Sequence, residues 1–377
     1  MSATPRAPQQ TGPVVVYAAT GYTGRLVAAE LARRGAEFVI AGRSREKLDL
    51  LAAELDPTPA VAPVALDDGA GLRELLGDAG SVIACAGPFT LHGEPLIEAA
   101  AATGTHYVDT TGEQPFIQAS FERWGEAAER SGAALVSGMG FDYAPGDMLA
   151  ALTAAELGGT IAELTLAYSI RGFGPTRGTA LSALEMMSGG DLEWHEGRYR
   201  ESSRRAGRGT FDFPSPIGSR RVGRYPAGEQ ITVPRHVDVS TVRTVIDMAS
   251  VTPPQLGPLA APAMTATGYL MDTPVRALGA KLIGRLPEGP SERDRKAVRY
   301  TIVCDARGAG GGGARGIVRG GDVYGITAVS TAEGALRMAA PGYDRHGALA
   351  PAQAFEPEDF LAALRPRGVT HQITELG

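Results

Sequence analysis

Residues 14 to 24 read VVVYAATGYTG, an unbroken apolar run, a short turn, and two glycines three positions apart where a helix-forming segment opens. A strand with no polar alternation is buried on both faces, the condition of an interior strand in a parallel sheet covered by helices. The same order then recurs. FVIAG, APVAL, SVIACAG, THYVDT and ALVSG read as strands, separated by helical segments near 23–34, 45–55, 70–77, 93–103 and 115–131. Strands and helices in strict alternation predict an α/β fold, a Rossmann-type doubly wound parallel sheet that is complete near Gly140.

After Gly158 the rhythm changes. AELTLAYSI (162–170) alternates apolar and polar residues as a half-exposed strand does, and TVRTVIDM and VRYTIVCDA are further strand-like runs. They predict a second, mixed-sheet α+β domain. Residues 198–235, rich in arginine, serine, glycine and proline, read as loops and short strands. RGAGGGGARG (307–316) is followed by the strand-like IVRGG; without the helix N-terminus that a phosphate cradle needs, it reads as a hairpin tip. YGITAVSTAEGALRMA (324–339) has helical spacing and is expected to return to the first domain. The expected plan is a loose tail over 1–12, a Rossmann-type domain over 13–150 plus about 321–377, and a substrate and dimerisation domain over 151–320. A homodimer through the second sheet fits this plan.

Composition removes several function classes. The net charge of −6 provides no general field for nucleic acid. Two cysteines, Cys85 and Cys304, make neither a disulfide framework nor a metal motif. The opening MSATPRAPQQTGP has no signal-peptide character and no apolar stretch is long enough for a membrane span, so a cytoplasmic location is expected.

The turn itself carries chemistry. Gly21 lets backbone approach a pyrophosphate, Gly24 lets helix and strand pack closely, and a helix N-terminus between Thr20, Tyr22 and Thr23 attracts phosphate charge. Ala18 stands where a first glycine is usual, and alanine holds the turn only if its φ stays negative. Past the second strand, where an acidic residue would meet the ribose of NAD, stand Arg43 and Ser44, with Lys47 one helical turn on. A guanidinium, a hydroxyl and an ammonium suit a 2′-phosphate, which favours NADP(H). Ala86, Gly87, Pro88 and Phe89 end the fourth strand in a rigid bend against the cofactor. Later strand ends present Asp109 and Glu113, then Asp142 and Tyr143 just before Pro145. Asp109 and Asp142 read equally as helix caps, and Tyr143 as a buried structural tyrosine.

GYTGRLVAAEL, IAGRS, AGPF, GTHYVDTTGE and GFDYAPGD, in this order and spacing, resemble the saccharopine dehydrogenase-like NADP-binding oxidoreductases, and among them the branch of bacterial trans-acting enoyl reductases. RGTALSALEMMS, PEGPSERDR and GGDVYGITA extend the resemblance over nearly the whole chain. The family usually shows glycine at Ala18 and GFDSxPSD where GFDYAPGD stands. The resemblance implies hydride transfer from NADPH to the C=C of an enoyl thioester or polyketide-like substrate, with Tyr143 or His195 as proton donor. It equally admits reduction of an imine C=N held by Asp142 or Glu113. A non-catalytic NADPH sensor is the third reading, and His195 also reads as a structural histidine.

The tyrosine–lysine pair of short-chain reductases is absent, and no lysine lies between Lys47 and Lys281, which argues against Schiff-base catalysis. Arginines at 198, 200, 204, 205, 208, 220, 221 and 224 read either as a solvated loop or as a dock for the phosphates of a coenzyme A thioester or an acyl carrier protein.

Overall fold

The computed structural model describes residues 12–186, 191–202, 209–251 and 275–376. The expected tail over 1–12 thus lies, apart from Gly12, outside the described residues. The chain divides into two compact units. The first comprises residues up to Thr111, Phe116–Phe141 and Thr327–Ala354. It contains β1 (Val14–Tyr17), β2 (Phe38–Gly42), β3 (Ala60–Pro63), β4 (Ser81–Ala84), β5 (His106–Asp109), β6 (Ala134–Val136) and β15 (Gly347–Ala348). Their order is β15-β6-β5-β4-β1-β2-β3, and every pairing is parallel. The order reverses between β1 and β4, which is where a doubly wound sheet opens a crevice at its carboxyl edge.

Burial explains β1, β2, β4, β5 and β6, while β3 is the exposed edge strand. Val14, Val15, Val16 and Tyr17 of β1 are all buried, and on the helix Tyr22–Arg33 the residues Gly24, Val27, Ala28 and Leu31 form the buried stripe. Each such Val or Leu contributes roughly 1.5–3 kcal/mol by leaving water. β3 comes two residues earlier than APVAL implies; the Val64 amide still donates to the Gly42 carbonyl at 3.0 Å. The helix Val323–Ala339 enters this unit from Thr327 onward, where Ala335 O accepts from Ser81 Oγ at 3.0 Å and Glu333 pairs with Arg34.

The second unit comprises Gly112–Pro115, Asp142–Ile326 and Phe355 onward. Residues 142–150 and 355–377, grouped above with the first domain, therefore belong here. The physical reason is β16 (Thr370–Leu376), hydrogen-bonded into the second sheet, and the helix Tyr143–Leu157, which is apolar on nearly every face and lies on that sheet. Its strands are β7 (Ile161–Arg171), β10 (Gly209–Phe213), β11 (Gly218–Arg224), β12 (Val239–Asp247), β13 (Arg299–Gly308) and β14 (Gly313–Gly321). The order is β10-β11-β12-β7-β13-β14-β16, mixed because only β12 and β7 pair in parallel. β8 (Leu192–His195) and β9 (Arg198–Glu201) form a separate hairpin.

The glycine-rich run at 307–316 is the tip of the β13–β14 hairpin. β7 departs from the half-exposed strand expected of AELTLAYSI. It is central, and Leu166, Ala167, Tyr168 and Ser169 are all buried. One face lies under the helix Tyr143–Leu157, and Ala167 joins Phe213, Val222, Val303 and Ile317 on the other. The helix sits close because Gly316 has no side chain; a Cβ there would lie 2.2 Å from Thr153 Oγ1. Among the described residues no helix is long and apolar enough to cross a membrane.

Candidate functional site

The first unit gathers its candidate residues at the carboxyl edge of β1, β2 and β4. Ala18 follows β1 with φ +59°, in the left-handed region. The expectation that alanine holds this turn with a negative φ is therefore wrong. The Gly21 amide closes the turn on the Ala18 carbonyl at 3.1 Å, and this fixes the chain reversal. Gly24 needs its hydrogen, since a Cβ would lie 2.4 Å from Ala18 O. Gly21 differs: a Cβ there would meet only Ala18 O, at 3.5 Å, so the protein's own packing does not demand a glycine. Gly21 is also the N-cap of the helix Tyr22–Arg33, with no side-chain cap and no acidic residue in the first turn. An open, uncapped helix N-terminus flanked by Thr20, Tyr22 and Thr23 fits a pyrophosphate.

At the end of β2, Ser44 caps the helix Arg45–Ala53 by accepting from the Lys47 amide at 3.4 Å. Arg45 pairs with Asp49, whereas the exposed Arg43 and Lys47 side chains make no ion pair or hydrogen bond among the described residues. Two cations beside a helix start, left without a carboxylate, fit an anionic ligand group. At the end of β4, Cys85 N still donates to Tyr17 O at 3.2 Å; Ala86 and Gly87 are half-buried, the Gly87–Pro88 peptide is cis, and Phe89 is buried against Phe116.

Asp109 caps no helix. Its Oδ1 accepts from Thr111 N at 2.9 Å and Gly138 N at 2.8 Å, tying the ends of β5 and β6 together. It is fully buried, and burial pushes its carboxyl up to about 6 against those two hydrogen bonds. The Tyr107 and Ser137 hydroxyls also face this carboxyl and hold it down against burial.

The second unit holds the other candidates. Asp142, half-buried, precedes the helix Tyr143–Leu157, and its side chain makes no cap. Tyr143 is buried and donates its hydroxyl to Gly112 O at 2.8 Å, the arrangement of a structural tyrosine. Three residues not singled out in the sequence surround Asp142. The half-buried Tyr225 directs its hydroxyl at Asp142 Oδ2, 3.4 Å away. Tyr168 of β7 donates to Asp142 O at 2.6 Å and also touches Glu229 Oε1. Burial pushes the Asp142 carboxyl up to about 6, and the Tyr225 hydroxyl opposes that rise. An acid near neutrality with a phenol at its oxygen can give and take a proton.

Other expected residues stand apart. His195 lies in β8 with Nε2 3.7 Å from Glu196 Oε1, and no hydrogen bond joins it to Asp142 or Tyr143 among the described residues. Glu113 is buried and accepts from Ser182 Oγ at 2.7 Å. Gln114 holds β8 by donating to Leu192 O and accepting from Leu192 N. Of the arginines, Arg200 pairs with Glu193 and Arg224 with Asp191, while Arg204, Arg205 and Arg208 lie outside the described residues.

Known proteins share this architecture. A Mycobacterium tuberculosis protein provisionally named a trans-acting enoyl reductase is 35% identical over 198 residues, covering 50% of this chain and 46% of its own. The trans-acting enoyl reductase of Mycobacterium bovis is 37% identical over 140 residues, covering 36% and 34%. The chain thus spans less than half the length of these curated relatives. Apo saccharopine dehydrogenase (L-Glu forming) of Saccharomyces cerevisiae shares the fold with a TM-score of 0.63 at 14% identity, covering 97% of this chain and 100% of its own. Residues 14–136 match the family model of the saccharopine dehydrogenase NADP binding domain. With the open turn at Gly21, and with Arg43 and Lys47 making no ion pair among the described residues, residues 14–136 form an NADP-binding domain of the saccharopine dehydrogenase type.

Proposed function

We propose that this chain is an NADPH-dependent oxidoreductase that reduces the C=C of an enoyl thioester or polyketide-like substrate. The observation that carries the reading is the Asp142 carboxyl with the Tyr225 hydroxyl at its Oδ2. Support also comes from the relatives, named as trans-acting enoyl reductases.

The bound cofactor supplies hydride. The chain's residues do the rest. The turn from Thr20 to Gly24 binds the pyrophosphate at the helix N-terminus, and Arg43, Ser44 and Lys47 hold the 2′-phosphate. Ala86, Gly87, Pro88 and Phe89 form the wall past β4. Hydride addition to the β-carbon of an enoyl thioester leaves negative charge on the carbonyl oxygen and requires a proton at the α-carbon. Asp142 gives that proton and Tyr225 holds its oxygen. Reduction of a neutral imine would take up a proton at nitrogen in the same way, so the carboxyl serves either reaction and the names of the relatives favour the C=C reading.

The exposed Arg221 and Arg198, with the half-buried Arg220, make no ion pair among the described residues and would meet the phosphates of coenzyme A or an acidic acyl carrier protein. Purified protein assayed for NADPH oxidation against enoyl thioesters and preformed cyclic imines, with NADH as control, tests the reading. It expects turnover on thioesters with NADPH; turnover on imines alone transfers the case to C=N chemistry, and tight NADPH binding with neither indicates a sensor.

A further inference from the structure

The buried network beneath Asp142 contains more acceptors than its phenol can serve. The Tyr168 hydroxyl lies 2.6 Å from the main-chain oxygen of Asp142 and in short contact with Glu229 Oε1. A phenol carries one hydrogen and a main-chain carbonyl carries none. Donation to Asp142 therefore leaves Glu229 Oε1 facing phenol lone pairs. Only a hydrogen on Glu229 makes that contact attractive.

Among the described residues, no cation stands out as holding Glu229 as an anion. It is fully buried, and among the described residues Oε2 has no hydrogen-bond partner. The groups facing it are Tyr143, Asp142 and Asp147 at or beside the helix Tyr143–Leu157, Tyr168 of β7, Tyr225 and Cys304 of β13. The histidine nearby, His236, is engaged by Asp147, with Nε2 2.9 Å from Oδ1. Space for the contact is specific: a Cβ on Gly146 would lie 2.3 Å from both Glu229 Oε1 and the Tyr168 oxygen.

We propose that Glu229 stands as a neutral carboxylic acid that donates to Tyr168, freeing the Tyr168 hydrogen to hold the Asp142 carbonyl and so fix the Asp142 carboxyl against Tyr225. Glu229 is a positioning residue, acting through Tyr168. Burial pushes its carboxyl well above the ordinary range, against the Tyr168 contact, and the charges of Asp142 and Asp147 push the same way as burial. What the network serves rests on the reading of Asp142 above; the protonation of Glu229 does not.

The test is an infrared difference spectrum of the full chain at neutral pH, wild type minus Glu229→Gln, without cofactor or substrate. A carboxylic-acid C=O stretch lost in the variant is expected, and Tyr168→Phe should move that band to higher frequency by removing its hydrogen-bond partner. Loss of carboxylate bands in its place, or an acid band indifferent to Tyr168→Phe, overturns the proposal. In turnover, Glu229→Ala is expected to lower kcat roughly tenfold with KM for NADPH unchanged, and Glu229→Gln to restore most of that loss. Equal loss in both overturns the positioning role. An inactive wild type with the acid band present would instead sink the functional reading alone.

Discussion

The Cα of Gly24 lies so close beneath the carbonyl of Ala18 that a Cβ on Gly24 would fall 2.4 Å from its oxygen. The turn is thus built around one obligatory glycine and one alanine held at φ +59°. Left-handed backbone costs a non-glycine residue about 1 kcal/mol, a cost glycine avoids. Ala18→Gly should therefore stabilise the protein by about that amount, and Gly24→Ala should destabilise it by about 3 kcal/mol or prevent folding. Urea unfolding of the two variants checks both; an unchanged midpoint for Ala18→Gly would mean that the turn is not strained.

Arg43 makes no ion pair among the described residues at the edge where a 2′-phosphate would sit. Arg43→Ala should weaken NADPH binding by roughly 10- to 100-fold while leaving NADH affinity nearly unchanged, the loss of a charge-assisted contact. Fluorescence titration with both nucleotides measures this. Retained preference for NADPH would relocate phosphate recognition away from the end of β2.

Asp109 links pH to stability. Its carboxyl is raised from 3.8 to about 6 by burial, so the folded state binds a proton more tightly than the unfolded chain. Its contribution is fully present below about 3.8, is lost as pH rises to about 6, and is constant above. Asp109→Asn keeps an acceptor for Thr111 and Gly138 and has no proton to lose. Relative to wild type it should gain on the order of 3 kcal/mol across that window. Thermal unfolding of both proteins from acid to neutral pH checks it, and parallel curves would contradict the assignment.

The interior of the first sheet was legible because strands such as Val14–Tyr17 are buried and leave continuous apolar runs, while Ser44 and the turn at Gly21 mark helix starts; the two-residue β15 leaves no such run. Ala18 was misjudged because a positive φ is imposed by the whole turn rather than by the residue. The surroundings of Asp142 were not legible. Tyr225 is 83 positions away and Glu229 is 61 from Tyr168, so no local period brings them together. Both lie in the 198–235 stretch, whose arginines drew the reading away from the buried Glu229. Gly146 was readable as a departure from the family's serine, yet its meaning required seeing Tyr168 and Glu229 beside it.

In the proposed reaction, hydride and proton add across a carbon–carbon double bond. The most direct measurement is mass and NMR analysis of the product formed from an enoyl thioester with NADPH deuterated at the transferable position. One deuterium at the carbon β to the thioester carbonyl, with the α-hydrogen drawn from solvent, is the predicted result. NADPH consumed without label in the acyl product would contradict the account.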